Sequence, residues 1–197
     1  MAAGLRRIVA ATVGAVLSVT APALTGTDPD AYAGPTGRLS ADQRAFLANA
    51  TAVARTSQRR YGVPASVVIA QAVHETGWGK SDLARSSRNY FGMTCGSAGG
   101  GPIAAGCRNG PDRVCDRAGC RATVHSFRVY RSMDDSFADH GRFLSTDPRY
   151  RKAFAARGKP KTFVKRMAKA GYATDPRYAE RIVRIMTKYR LQKHDRR

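Results

Sequence analysis

Glutamate is nearly missing: the chain of 197 residues has two, Glu75 and Glu180, and it has one tryptophan, Trp78. Acidic residues number 14 against 34 Lys and Arg, a formal net charge of +20. So few carboxylates leave few candidates for acid–base work, and so much positive charge needs a partner. Long apolar runs are scarce as well. The one present, Ile8 to Val19 (IVAATVGAVLSV), falls short of the roughly 20 residues that span a bilayer, so no membrane anchor is expected in the mature chain. There is no phosphate-cradling loop, because Gly99-Gly100-Gly101 lacks the following Lys and helix. There is no internal repeat and no basic stripe with interleaved aromatics, so specific nucleic-acid binding is not expected. The four Cys, spaced C-x11-C-x7-C-x4-C, match neither a zinc finger nor a zinc ribbon. No metal and no cofactor are expected. A hydrophobic fraction of 43% permits one ordinary core and argues against both two full domains and extended disorder.

The first segment reads as a signal peptide, Met1 to Ala33: Arg6-Arg7, the apolar run, then Ala31-Tyr32-Ala33 as a small-x-small cleavage pattern. Ala21-Pro22-Ala23 is an alternative cleavage point. Paired arginines occur in twin-arginine leaders, but they are common in ordinary leaders too, and the general secretion route is preferred. Removing residues 1–33 takes away Arg6, Arg7, Asp28 and Asp30, so the mature chain keeps its +20. In a secreted or wall-associated protein the expected partner is a polyanion outside the membrane, such as a carboxylate- or phosphate-bearing wall polymer. An oxidising compartment makes the four Cys disulfide formers. The pairing Cys95–Cys107 with Cys115–Cys120 closes local loops and is preferred over either crossed alternative.

After a linker at 34–39, one domain is expected over 40–192, followed by a basic tail at 193–197. Ser40-Ala41-Asp42-Gln43 is a capping box, and Phe46, Ala50, Val53, Ala54, Ser57 and Tyr61 mark a helix face that Gly62 ends. Pro64 opens a second helix reaching about Glu75, and its run Val67-Val68-Ile69-Ala70 predicts burial nearly all round. A short turn follows at Ser81 to Arg85. Cys95 to Cys120 reads as an irregular or hairpin-containing lobe, and Arg121 to Tyr130 as a strand. Met133, Phe137, His140 and Leu144 share a helix face. Further helices are expected within Pro148–Ala156 and Lys161–Ala170, and a last one runs from Pro176 to about Gln192. The fold class is α+β, mainly helical.

Of the two Glu, Glu180 has Arg184 four residues on, the spacing of a solvated ion pair. Glu75 ends the most apolar helix, where terminal carbonyls disfavour an anion and Trp78 is near. Both effects raise a carboxyl pKa, as a general acid requires, while pairing with Lys80 would be the bland alternative. His74 points to another part of the helix surface, and His125 and His140 read as structural.

The segment Ala70-Gln71-Ala72-Val73-His74-Glu75-Thr76-Gly77-Trp78-Gly79-Lys80-Ser81 resembles the catalytic segment of glycoside hydrolase family 73, the endo-β-N-acetylglucosaminidases that cut bacterial peptidoglycan. The similarity continues in order through Asn89-Tyr90-Phe91-Gly92-Met93, Phe127 to Ser132 (FRVYRS) and Ala170 to Ala179 (AGYATDPRYA). The resemblance implies a lysozyme-like domain with a small β-containing lobe, Glu75 as proton donor, and cleavage between N-acetylglucosamine and N-acetylmuramic acid. It implies that Tyr172 lies near the reacting sugar, and it gives Trp78, Asn89, Tyr90 and Phe91 as residues of the glycan cleft.

Many members of that family carry a second Glu on the hairpin, which in this chain would stand at Val114. The lobe offers only Asp112 and Asp116 instead. Either is a candidate base for the attacking water, with Asp116 preferred because it sits between Cys115 and Cys120. The substrate's own acetamido oxygen is the other route. A muramidase or lytic transglycosylase is the alternative enzyme, and a catalytically weak wall-binding protein is the alternative of a different class.

Overall fold

The computed structural model describes residues 39–97, 99–116 and 119–195, without the side chains of 113–120. The expected leader, Met1 to Ala33, lies outside the described residues. The elements are α1 (Ala41–Tyr61), α2 (Ala65–Thr76), α3 (Asp82–Ser87), β1 (Gly106–Asp116), β2 (Gly119–Val129), α4 (Met133–Thr146), α5 (Arg151–Phe154), α6 (Pro160–Lys169) and α7 (Tyr178–Lys188). Turns of 3-10 helix stand at Pro148–Tyr150 and Leu191–His194. Among the described residues no helix is long and apolar enough to cross a membrane.

Helix α1 starts on the expected capping box: Gln43 N donates to Ser40 Oγ at 3.2 Å and Ser40 N donates to Gln43 Oε1 at 2.9 Å. It ends at Gly62, whose left-handed φ of +77° lets its N–H close onto Gln58 O. Helix α2 is the axle of the domain. α1, α6, α7 and the C-terminal 3-10 turn all pack on it, and every one of its residues is buried except Glu75. A helix without a wet face is held by its surroundings rather than by its own propensity. The single exception is therefore informative.

The last helix is shorter than the expected span to Gln192. It stops at Lys188, Arg190 turns left-handed at φ +50°, and Leu191–His194 reverses direction. Continued at 100° per residue, the helix would carry Leu191 off the stripe of Tyr178, Ile182, Ile185 and Met186. The break lets Leu191 bury fully. It also brings Asp195 to the start of α2, where Oδ1 accepts from Ser66 N at 2.8 Å and the Asp195 carbonyl accepts from Gln58 Nε2 at 3.0 Å. Asp195, within the expected basic tail, thus bonds the first turn of the central helix. The helix expected within Pro148–Ala156 is likewise a 3-10 turn and one α-turn. There the Asp147 carboxylate binds the Arg149 N–H and guanidinium locally.

Strands β1 and β2 form an antiparallel hairpin whose register pairs Asp116 with Gly119, Cys115 with Cys120 and Gly106 with Val129. The segment entering the lobe runs along the other edge of β2, with Cys95 N donating to Ser126 O at 2.7 Å and Arg128 N to Met93 O at 2.9 Å. The Cys95–Cys107 disulfide then joins this segment to β1, as expected. The sulfurs of Cys115 and Cys120 lie outside the described side chains. Where the hairpin meets the helices, Asp139, 1% exposed, accepts from Arg128 Nη1 at 2.5 Å and from Tyr130 Oη at 2.9 Å. Replacing Cys95 and Cys107 together by Ala frees a loop of 12 residues, with an expected stability loss of about 3 kcal/mol in urea unfolding.

Candidate active site

Glu75 stands where α2 ends, and the chain turns there through three successive left-handed residues: Gly77 at φ +54°, Trp78 at +67° and Gly79 at +78°. Thr76 braces the turn, its Oγ1 donating to Ala72 O and accepting from Gly79 N, each at 2.6 Å. A left-handed tryptophan costs about 1 kcal/mol or more. Ring packing holds it, edge-on to Phe46 at 6.1 Å and to Tyr189 at 5.0 Å. A Cβ on Gly79 would stand 2.9 Å from the Phe46 ring in a backbone conformation that side chains avoid. Gly79→Ala should lower stability by about 1–3 kcal/mol, read as a drop in Tm.

Beneath Glu75 lies a chain of buried polar groups. Gln71, one helical turn earlier, donates from Nε2 to Tyr178 Oη at 2.8 Å, and Tyr178 donates on to Glu75 Oε1 at 3.3 Å. Burial pushes the Glu75 carboxyl up to about 8, and the Tyr178 hydroxyl, which favours the anion, offsets only part of this. Glu75 makes no ion pair among the described residues. Lys80, the competing partner considered from sequence, instead reaches Asp42 at 3.7 Å, and Glu180 pairs with Arg184 at 3.0 Å as its spacing predicted. A partly exposed carboxyl that keeps its proton near neutrality has the state a general acid needs.

Two histidines near this chain are held neutral. His74 is pushed down to about 4, chiefly by burial and then by Arg181, and its ring lies edge-on to Tyr178 at 5.7 Å. His140 is pushed down to about 3 by burial alone; it stacks on Phe91 at 4.0 Å and bonds Tyr172 Oη at 2.9 Å. Both fit the structural reading made from sequence.

Several residues assigned to the cleft are spent elsewhere. Tyr172, 1% exposed, has its hydroxyl on His140 and its ring against Tyr178, so it supports the site from below. Phe91 and Trp78, 1% and 7% exposed, are core packing. Asn89, 1% exposed, clamps a loop: Nδ2 donates to Met93 O and Arg128 O, and Oδ1 accepts from Phe91 N and Met93 N. Asn89 and Phe91 are buried because the loop between α3 and β1 can lie against the helices only if its apolar and amide groups are satisfied internally. Tyr90 alone of the group remains partly exposed. Gln71 and Tyr178 escaped the sequence reading. Their signals were the four-residue spacing of Gln71 to Glu75, which sets both on one helix face, and a tyrosine hydroxyl in an otherwise aliphatic stripe.

On the hairpin, the Asp112 side chain is fully buried and its Oδ2 lies 2.6 Å from His125 Nδ1. Asp112 therefore offers no oxygen surface of its own, while the Asp116 side chain lies outside the described ones. A cavity of about 670 Å³ is lined by Arg55, Pro64, Arg157 and Asp195. It lies at the opposite end of α2, about 16 Å from Glu75 by helical rise. None of Gln71, Glu75 and Tyr178 lines it. Among the described residues no three metal-ligating side chains cluster.

Residues 51–191 match the glucosaminidase family, described as mannosyl-glycoprotein endo-beta-N-acetylglucosaminidase. The peptidoglycan hydrolase FlgJ of Pseudomonas aeruginosa is 36% identical over 152 residues, 74% of this chain and 36% of that protein. The exo-glucosaminidase LytG of Bacillus subtilis is 31% identical over 159 residues, 78% of this chain and 54% of its own length. This chain thus spans between a third and about half of those relatives. The catalytic domain of the autolysin Auto from Listeria monocytogenes superposes with a TM-score of 0.67 at 25% identity, over 80% of this chain and 90% of that one. With the helical core, the hairpin lobe and the family match in agreement, the chain belongs to the glucosaminidase family.

Proposed function

We propose that this chain is an exported peptidoglycan hydrolase, an endo-β-N-acetylglucosaminidase that cleaves the N-acetylglucosamine to N-acetylmuramic acid linkage with Glu75 as general acid. The observation that carries the reading is the state of Glu75. It alone on the central helix meets solvent, and burial keeps its proton in place up to about pH 8. Departure of a sugar as an alkoxide is prohibitively slow, so a carboxylic acid beside the glycosidic oxygen donates its proton as the carbon–oxygen bond breaks and the ring gains oxocarbenium character. Tyr178, its hydroxyl oriented by Gln71, then donates to the carboxylate left behind and stabilises the charge as it forms. Family membership and the relatives' names support the substrate class.

The positive charge has a role in the same reading. With 34 Lys and Arg against 14 Asp and Glu, the net positive charge holds the protein on anionic wall polymers through screened, reversible contacts. Binding to purified wall should therefore be released by salt.

Digestion of purified peptidoglycan, with borohydride reduction and mass spectrometry of the fragments, tests the assignment. Reduced N-acetylglucosamine at the new ends is expected. Reduced N-acetylmuramic acid would assign the protein as a muramidase, 1,6-anhydro ends as a transglycosylase, and binding without soluble sugar as a wall-binding protein. Oligosaccharides rather than single sugars among early products establish endo action.

A further inference from the structure

Direct displacement by water with Glu75 as acid requires a group that takes a proton from the attacking water on the other face of the sugar. The described side chains of the hairpin hold one carboxylate, Asp112, and its oxygens are sealed. What Asp112 does hold is an imidazole. We propose that His125, oriented by Asp112, is the base that activates the attacking water; the inference rests on the proton-donor reading of Glu75.

Three features carry it. The first is the dyad itself. A carboxylate 2.6 Å from Nδ1 accepts the proton there, which fixes the tautomer and leaves the Nε2 lone pair free to accept another. The exposures of the two side chains, 32% for His125 and none for Asp112, make the histidine the member that meets a ligand. The second is direction. Side chains alternate along a strand, and Val124, at 66% exposure, marks the outer face, so His125 is on the inner one. Phe127, two residues on, is 6% exposed on that same inner face, and Arg108, its register partner, reaches across to Asp82 at 3.1 Å. Asp82 opens α3, seven residues beyond Glu75, so the strand face that carries His125 is the one tied to the start of α3. The third is room. The register partner of His125 is Gly110, which places no side chain beside the imidazole.

The step balances without any further reagent. As the glycosidic bond breaks, its oxygen takes the Glu75 proton. The water oxygen bonds to the anomeric carbon and its proton passes to His125 Nε2, where the buried Asp112 charge stabilises the imidazolium. Solvent then returns a proton to Glu75 and takes one from His125. His125 is thus a catalytic residue and Asp112 a positioning residue.

The test uses the whole mature chain on a soluble, peptide-free peptidoglycan oligosaccharide, with and without sodium azide, comparing wild type with H125A, H125Q and D112N. Loss of a general base lowers kcat by about 100-fold with KM within about twofold in both His125 variants, and by less in D112N. Azide needs no deprotonation, so it should restore cleavage in all three and yield a glycosyl azide, which a merely structural role would not produce. Wild-type kcat in a folded H125A would overturn the assignment in favour of attack by the acetamido group. A loss without azide rescue in folded H125A and H125Q would overturn it as well. A wild type that releases no sugar would instead overturn the Glu75 reading beneath it.

Discussion

Glu75→Gln is expected to keep the fold and lose about 10²- to 10⁴-fold in kcat on peptidoglycan, with little change in KM. The amide retains the size of the carboxyl and can still accept the Tyr178 hydrogen bond, so packing beneath the site is preserved. It cannot deliver a proton. The loss falls on the transition state alone, where the departing oxygen gains charge, and binding of the unreacted glycan is left intact. Full activity in a folded Glu75→Gln protein would remove the proton-donor role.

The same substitution should make the protein more stable at alkaline pH. The folded carboxyl titrates at about 8 and the unfolded one near the ordinary value of 4.5. The native state therefore holds the proton more tightly. The stability linked to Glu75 is fully present below about pH 4.5 and is lost as pH rises through about 8. Glutamine carries no such linkage. The stability difference between variant and wild type should be near zero at pH 4 and grow to the order of 3 kcal/mol in favour of the variant by pH 9, discounted for partial solvent access. Buried His74 and His140, pushed down to about 4 and about 3, destabilise both proteins alike on acidification, so taking the difference removes them. Urea unfolding at a series of pH values checks this, and a difference that stays flat would contradict it. A variant gaining stability where it loses activity is the mark of a strained functional group.

The helices were legible because their limits are written locally. The Ser40 and Gln43 box, the Gly62 stop and the apolar run of α2 each encode a boundary or a face within a few residues, and the observed spans follow them. The last helix was misjudged because its end is decided at a distance: Leu191 is drawn into a core that the local pattern does not show, and Asp195 finds a helix start 129 residues away in sequence. The site divides in the same way. Glu75 stood out as a carboxylate with no local partner at the end of an apolar helix. Tyr172, Asn89, Phe91 and Trp78 are buried, which the motif does not reveal, because it gives proximity to a site and says nothing about which side of the backbone each side chain takes. Tyr178 and the Asp112–His125 pair depend on contacts across 103 and 13 residues, which periodicity does not reveal.

The central claim, a proton retained on Glu75 at working pH, is open to direct observation because the chain has only two glutamates. Carbon-13 labelling of Glu at the side-chain carboxyl gives two resonances, and the one missing from Glu75→Gln is Glu75. Its titration should have a midpoint at about 8. A midpoint in the ordinary carboxyl range, about 4 to 5, would show an anion at neutral pH and contradict the account.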